Sequence, residues 1–162
     1  MITIIDMSQS KPKYKISEAA KILGISVHTL RMYEREGLII PYKKSTNQRL
    51  YSEEDIHRLR CIRNAIKEDK ISIEGIKRIF SLIPCWAIVN CSLQNIDFCK
   101  ALKSSNRPCW TFKHENNFCS DKDCRECEVY KIFNNCESIK SKLIELTFNG
   151  IYQKEELKEE RI

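Results

Sequence analysis

A chain of 162 residues with a net charge of +6 at pH 7 has room for one ordinary domain or two small ones. No apolar run approaches the ~18 residues that span a bilayer, and the opening Met1-Ile2-Thr3-Ile4-Ile5-Asp6 has neither the basic start nor the apolar length of an export signal, so a cytoplasmic protein is expected. The charge is segregated, with 16 Lys and Arg against 10 Asp and Glu in residues 1 to 83 and 12 of each in residues 84 to 162. A localised excess points to a polyanionic partner, because neutralised phosphates release counterions; a merely solvated basic face is the alternative.

Ser17 is placed to cap a short helix over residues 18 to 23, with Ala20 and Leu23 on its inner face and Gly24 at the left-handed position that ends it. Ser26 caps a second helix in which Val27 and Leu30 turn inward while His28, Arg31, Met32 and Arg35 share an outward arc, and Gly37 stops it. Two helices joined by so short a turn, the second with a basic outer face, fit a helix-turn-helix that presents a recognition helix to the major groove. Leu38-Ile39-Ile40 and Arg49-Leu50-Tyr51 then read as short strands around a polar, basic tip, which is the form of a wing. Ser52, with Asp55 in a capping box, starts a third helix that buries Ile56, Leu59 and Ile66 and leaves Arg58, Arg60, Arg63 and Lys67 on its other faces. A fourth helix begins at Ser72, buries Ile73, Ile76, Ile79 and Phe80, and ends before Pro84.

The run YKISEAAKILGISVHTLRMYEREGLI followed by NQRLYSEEDIHRLR resembles the winged helix-turn-helix of the MerR family of bacterial transcription regulators, over about residues 14 to 80. Within that family the Met32-Tyr33 pair and the Arg49-Leu50-Tyr51-Ser52 wing exit are most similar to the heat-shock-repressor and glutamine-synthetase-repressor branches. The resemblance implies DNA contacts from Arg31 and Tyr33 on the recognition helix and from Arg49 and Tyr51 on the wing. On chemical grounds Lys43, Lys44 and Arg49 suit phosphates, His28, Thr29 and Arg35 suit base edges or neighbouring phosphates, and Asn47 at the wing tip joins the set. For Tyr33 and Tyr51, packing between helix and wing is an equal alternative.

Eight of the nine cysteines fall between Cys85 and Cys136, in a stretch too poor in aliphatic side chains to fold by burial alone. Pro84-Cys85-Trp86 and Pro108-Cys109-Trp110 form an imperfect repeat 24 residues apart. Cys124-Arg125-Glu126-Cys127 has the spacing that lets two thiolates of one turn reach the same metal. The candidate ligands are Cys85, Cys91, Cys99, Cys109, Cys119, Cys124 and Cys127, with His114 the imidazole nearby. This pattern resembles the two-CW cysteine module appended to bacterial sensory and regulatory proteins, a resemblance that fixes no ligand set. An iron-sulfur cluster explains the surplus of thiolates over imidazoles; structural zinc and reversible disulfides are the alternatives. Cys61, inside the third helix, reads as a small core residue, and Cys136 as part of a helical stripe or as a further ligand.

That stripe, Val129, Ile132, Cys136, Ile139, Leu143 and Leu146, advances in steps of 3 and 4, the seam of a dimer helix or of a helix packed on its own domain. The fold expected is mainly α: a winged helix-turn-helix domain of four helices and a small β wing over residues 14 to 83, a small irregular cysteine-rich module over 84 to 136, and a C-terminal helix and charged tail over 137 to 162. The function expected is a sequence-specific DNA-binding transcription regulator whose module holds a metal centre, sensing redox or metal state. The alternative is a DNA-binding repressor with a structural or partner-docking zinc module. Expected partners are double-stranded operator DNA, a second copy of the chain as a homodimer, and RNA polymerase, with no membrane. Enzymatic activity is not expected: Cys124-x-x-Cys127 lacks the strand-helix-strand setting of thiol oxidoreductases, and nothing assembles a nucleophile with a base.

Overall fold

The computed structural model describes residues 9–91, 97, 99–104, 106–115, 118–134, 136, 141, 143–145 and 147. It is mainly helical with one small sheet. The elements in order are β1 (Tyr14–Lys15), α1 (Ile16–Leu23), α2 (Val27–Arg35), β2 (Tyr42–Lys43), β3 (Arg49–Tyr51), α3 (Glu53–Lys67), α4 (Ile73–Ser81), α5 (Cys85–Ile88) and α6 (Glu128–Lys131), with 3-10 turns at Cys109–Thr111 and Ile132–Asn134. Among the described residues no helix is long and apolar enough to cross a membrane.

The local signals place most boundaries. Ser26 Oγ accepts the Thr29 amide at 2.9 Å to start α2, and Gly24 and Gly37 sit at φ 61° and 73°, where a side chain would be strained. Ser52 and Asp55 cap α3 reciprocally, at 3.1 and 2.8 Å. The first helix departs from expectation. It begins at Ile16 with Lys15 as its cap residue, because β1 delivers the chain extended to that point and Glu18 accepts the Lys15 amide at 2.7 Å; Ser17 lies inside the helix.

The wing also differs. Its first strand is Tyr42–Lys43, not residues 38 to 40, and the sheet gains β1, giving the order β1-β3-β2 with both pairings antiparallel. Leu38 and Ile39 are 0 % and 1 % exposed and enter the core instead. At the following residue the Ile40 amide donates to the Tyr130 hydroxyl at 2.8 Å and its carbonyl accepts from Arg125, so side chains from the cysteine-rich half take the place of a strand partner. Ile79, expected inside, is 38 % exposed on α4.

One hydrophobic core joins the two halves: Leu30, Leu38, Ile56, Leu59, Ile76 and Phe80 pack with Trp110, Val129, Tyr130 and Phe133. Arg58, expected on an outer face, is fully buried at its centre. Its Nε donates to the Leu38 carbonyl at 3.0 Å and its Nη1 to the Tyr130 carbonyl at 2.8 Å, while the guanidinium carbon lies 3.8 Å from the Tyr130 ring centre and 5.1 to 5.5 Å from those of Trp110, Phe80 and Phe133. Burial lowers the pKa of this group, and the negative faces of the rings offset the lost hydration.

The stripe that begins at residue 129 does not form one buried seam among the described residues. Val129 is buried, Ile132 is half-buried against the chain's own core, and Cys136 and Leu143 are exposed, because α6 tightens into the 3-10 turn at Ile132 and Phe133, outside the stripe, takes the inward place. Ile139, Leu146 and the tail from 152 to 162 lie outside the described residues.

Candidate nucleic-acid interface and metal centre

On α2, His28, Arg31 and Arg35 are exposed and Thr29 is half-buried, its hydroxyl 2.9 Å from that of Ser26. On the wing Lys43, Lys44 and Asn47 are exposed. Asn47 takes φ 61° and its amide donates to the Lys44 carbonyl at 2.8 Å, so this residue shapes the tip as well as facing outward. Arg35, Lys43 and Arg49 line one groove whose wall also includes Trp110, Thr111, Asp123 and Arg125 of the cysteine-rich half. The two tyrosines behave otherwise: Tyr33 is 5 % and Tyr51 0 % exposed, and burial raises both phenol pKa values. The DNA-contact expectation is corrected for these side chains, which pack helix against wing.

Glu34 is the clamp between the two elements. It accepts Arg49 Nε at 2.7 Å on one carboxylate oxygen and the Tyr51 hydroxyl on the other. Arg49 is therefore only one-third exposed, and part of its charge is spent holding the wing at a set angle to α2. At the same, C-terminal end of the helix its cap residue Glu36 pairs with Lys77 of α4 at 2.9 Å.

The seven candidate ligands converge. Cys85, Cys91, Cys99, Cys109, Cys119, Cys124 and Cys127 line one cavity of about 40 Å³, closed by Trp110, Phe118, Val129 and Tyr130, with His114 on its wall. A space of this size takes ions or small inorganic groups, and is too small for an organic cofactor. The two copies of the Pro-Cys-Trp repeat each open a short helical turn, and the turns meet: the Cys109 thiol hydrogen-bonds to Cys85. That bond brings the Cys85 pKa down to about 7 and, from the donor's side, pushes that of Cys109 up. Burial pushes Cys119 up to about 11 and also raises Cys91 and Cys124. Against such apolar walls these thiols resist ionising unless a cation binds beside them, and the donor set is compatible with zinc or iron-sulfur chemistry.

Comparison with known proteins bears on the first half of the chain. Residues 14–83 match the MerR HTH family regulatory protein model. They form a MerR-family helix-turn-helix domain. The chain is 38 % identical over 77 residues to a heat shock protein, HspR, of Streptomyces coelicolor, an alignment covering 48 % of this chain and 51 % of that protein. It is 45 % identical over 69 residues to an HTH-type transcriptional regulator, a ZntR homolog, of Haemophilus influenzae, covering 42 % and 50 %. With the HTH-type transcriptional regulator HmrR of Sinorhizobium medicae it shares 40 % identity over 68 residues, covering 41 % and 46 %. The chain thus spans about half the length of the curated relatives it matches. No solved structure matches it.

The cysteine-rich half grips the MerR-type domain at its working parts. Trp110 Nε1 donates to the Gly37 carbonyl at 2.7 Å, where the recognition helix ends. Arg125, inside the Cys124-x-x-Cys127 turn, pairs with Asp55 at 3.1 Å and donates to the Ile40 carbonyl. Burial lowers the Arg125 pKa but its acidic surroundings, Asp55 foremost, more than offset it, so the net shift is upward and the guanidinium stays charged. Sequence reasoning missed Arg58, Arg125 and Tyr130. The one signal available was an arginine placed between two candidate ligands.

Proposed function

We propose that the protein is a cytoplasmic transcription regulator that binds two-fold operator DNA as a homodimer through its MerR-type domain, and that its seven-thiol cavity holds an iron-sulfur cluster whose state alters DNA affinity. One observation carries the coupling: two residues of the cavity wall, Trp110 and Tyr130, and Arg125 between two of the cavity thiols hold the end of the recognition helix and the approach to the wing. Trp110 follows Cys109 and bonds Gly37, Arg125 lies between Cys124 and Cys127 and bonds Asp55 and Ile40, and Tyr130 holds the Ile40 amide. A shift of these thiols moves the turns that carry Trp110 and Arg125, and a change in DNA affinity follows if the two arrangements differ in free energy on DNA.

The spread of the thiols supports a cluster over a single ion. Tetrahedral zinc with Zn–S of about 2.3 Å needs sulfurs about 3.8 Å apart. Among the described residues no three of the seven sulfurs lie mutually within 4.8 Å. When bound, a cluster would supply a one-electron redox couple and fix the thiolates.

Structural zinc is the second reading, favoured by the module's share in the core: a metal that folds residues 109 to 133 would stabilise the whole chain without sensing anything. Metal and sulfide analysis with an absorption spectrum of anaerobically purified protein separates the two. Iron, sulfide and broad visible absorbance are expected; colourless zinc-loaded protein would establish the second reading, and protein without metal would overturn both.

A further inference from the structure

We propose that His57, Cys61 and Cys136 form a second site, separate from the seven-thiol cavity, that binds a thiophilic divalent cation such as zinc when its two cysteines are reduced. His57 and Cys61 stand four residues apart on α3 and so project from one face of the helix, the spacing by which two ligands of a single helix chelate one ion. Cys136 is delivered to the same face by the 3-10 turn before it, which Phe133 anchors in the core and Asn134 ties to α3 through Glu54 at 2.9 Å. One ligand atom from each of the three residues lies within 4.8 Å of the other two, and among the described residues no other such group of His, Cys, Asp and Glu is found.

In the structure the two cysteines form a disulfide with their Cα atoms 5.4 Å apart. Reduction by a thiol or phosphine adds two electrons and two protons to that bond, and an incoming cation then displaces the two thiol protons. Two thiolates and one imidazole suit zinc, and three protein ligands leave a fourth position for water. Access differs from that of the cavity. His57 and Cys136 are exposed and Cys61 half-buried, so ions and reductants reach the site directly. The site fastens the chain beyond residue 134 to the helix that carries Arg58, either through a covalent bond or through a cation.

The test is a zinc titration of the full chain, reduced with a phosphine under anaerobic conditions, against a chromophoric chelator. His57→Ala, Cys61→Ser and Cys136→Ser are each expected to lose one zinc equivalent, or to bind it at least tenfold more weakly, with unchanged circular dichroism and unchanged cavity absorbance. The unreduced disulfide form of the wild type is expected to lack the same equivalent. Zinc should also protect Cys61 and Cys136 from alkylation in the wild type but not in His57→Ala, a substitution at an exposed position. Wild-type stoichiometry and affinity in the variants, or uptake of that equivalent by the disulfide form, would overturn the proposal. Because none of the three residues lines the cavity, either result leaves the reading of the seven thiols to its own metal analysis.

Discussion

Trp110 donates its indole N–H to the carbonyl of Gly37 at 2.7 Å, fastening the module's second Pro-Cys-Trp turn to the end of the recognition helix. A Cβ at Gly37 would collide with the Thr111 methyl, and its φ of +73° disfavours any side chain. Trp110→Phe keeps much of the apolar bulk but leaves that carbonyl without its donor, at a cost of about 1–3 kcal/mol in urea unfolding. Gly37→Ala should destabilise by at least ~1 kcal/mol, adding backbone strain to the collision. Both variants should weaken operator binding, since each loosens the end of α2; an unchanged denaturation midpoint in both would remove the contact from the account.

Arg58 is the fullest expression of the shared core. Arg58→Met is expected to destabilise the chain by about 3–5 kcal/mol, because two buried carbonyls, those of Leu38 and Tyr130, lose their donors and four aromatic rings lose their cation. Arg58→Lys restores charge but not the planar fork that reaches both carbonyls, and should recover less than half of the loss. Chemical denaturation followed by tryptophan fluorescence reads this directly, because Trp110 is in contact with the guanidinium.

These two contacts mark where the sequence stopped being legible. Ser26, Gly37 and the Ser52–Asp55 box act within a few residues of themselves, so their roles could be read locally. Leu38-Ile39-Ile40 read as a strand because β-branched runs do so, and the groups that claim Ile40 instead, Tyr130 and Arg125, lie 90 and 85 residues further on. Arg58 read as solvated because an arginine on an amphipathic helix usually is, and the rings that enclose it come from positions 110, 130 and 133 as well as Phe80. The seven cavity thiols were nameable from spacing and repeat, whereas the pairing of Cys61 with Cys136 was hidden across 75 residues and a helical pattern that fitted Cys136 equally well.

Exposure sorts the expected DNA contacts. Arg31→Ala and Lys44→Ala should each weaken binding to duplexes selected from a random pool, and a lost phosphate contact should reduce the slope of log affinity against log salt by about 0.9. Tyr33→Phe should leave affinity within twofold of wild type, because the ring is packed inside the domain. Glu34→Gln weakens the clamp on Arg49 and Tyr51, so it should lower affinity although it removes a negative charge from the binding face. Fluorescence anisotropy across a salt series checks all four; higher affinity in Glu34→Gln would mean that wing alignment contributes less than the repulsion of phosphate.

Cys85 should titrate apart from its neighbours. In reduced, chelator-treated protein the hydrogen bond from Cys109 favours the Cys85 thiolate, so its fraction, and with it the alkylation rate, rises with pH through a midpoint near 7. Burial holds Cys119 protonated until about pH 11, and Cys91 and Cys124 likewise react later than an ordinary thiol. Alkylation at pH 7.5 followed by peptide mass mapping should therefore label Cys85 ahead of these three. Cys109→Ala removes the donor, and the Cys85 midpoint should climb back toward the ordinary thiol value of 9.0. A midpoint that stays near 7 in that variant would show that the thiolate draws its stability from the nearby backbone amides instead of from the paired repeat.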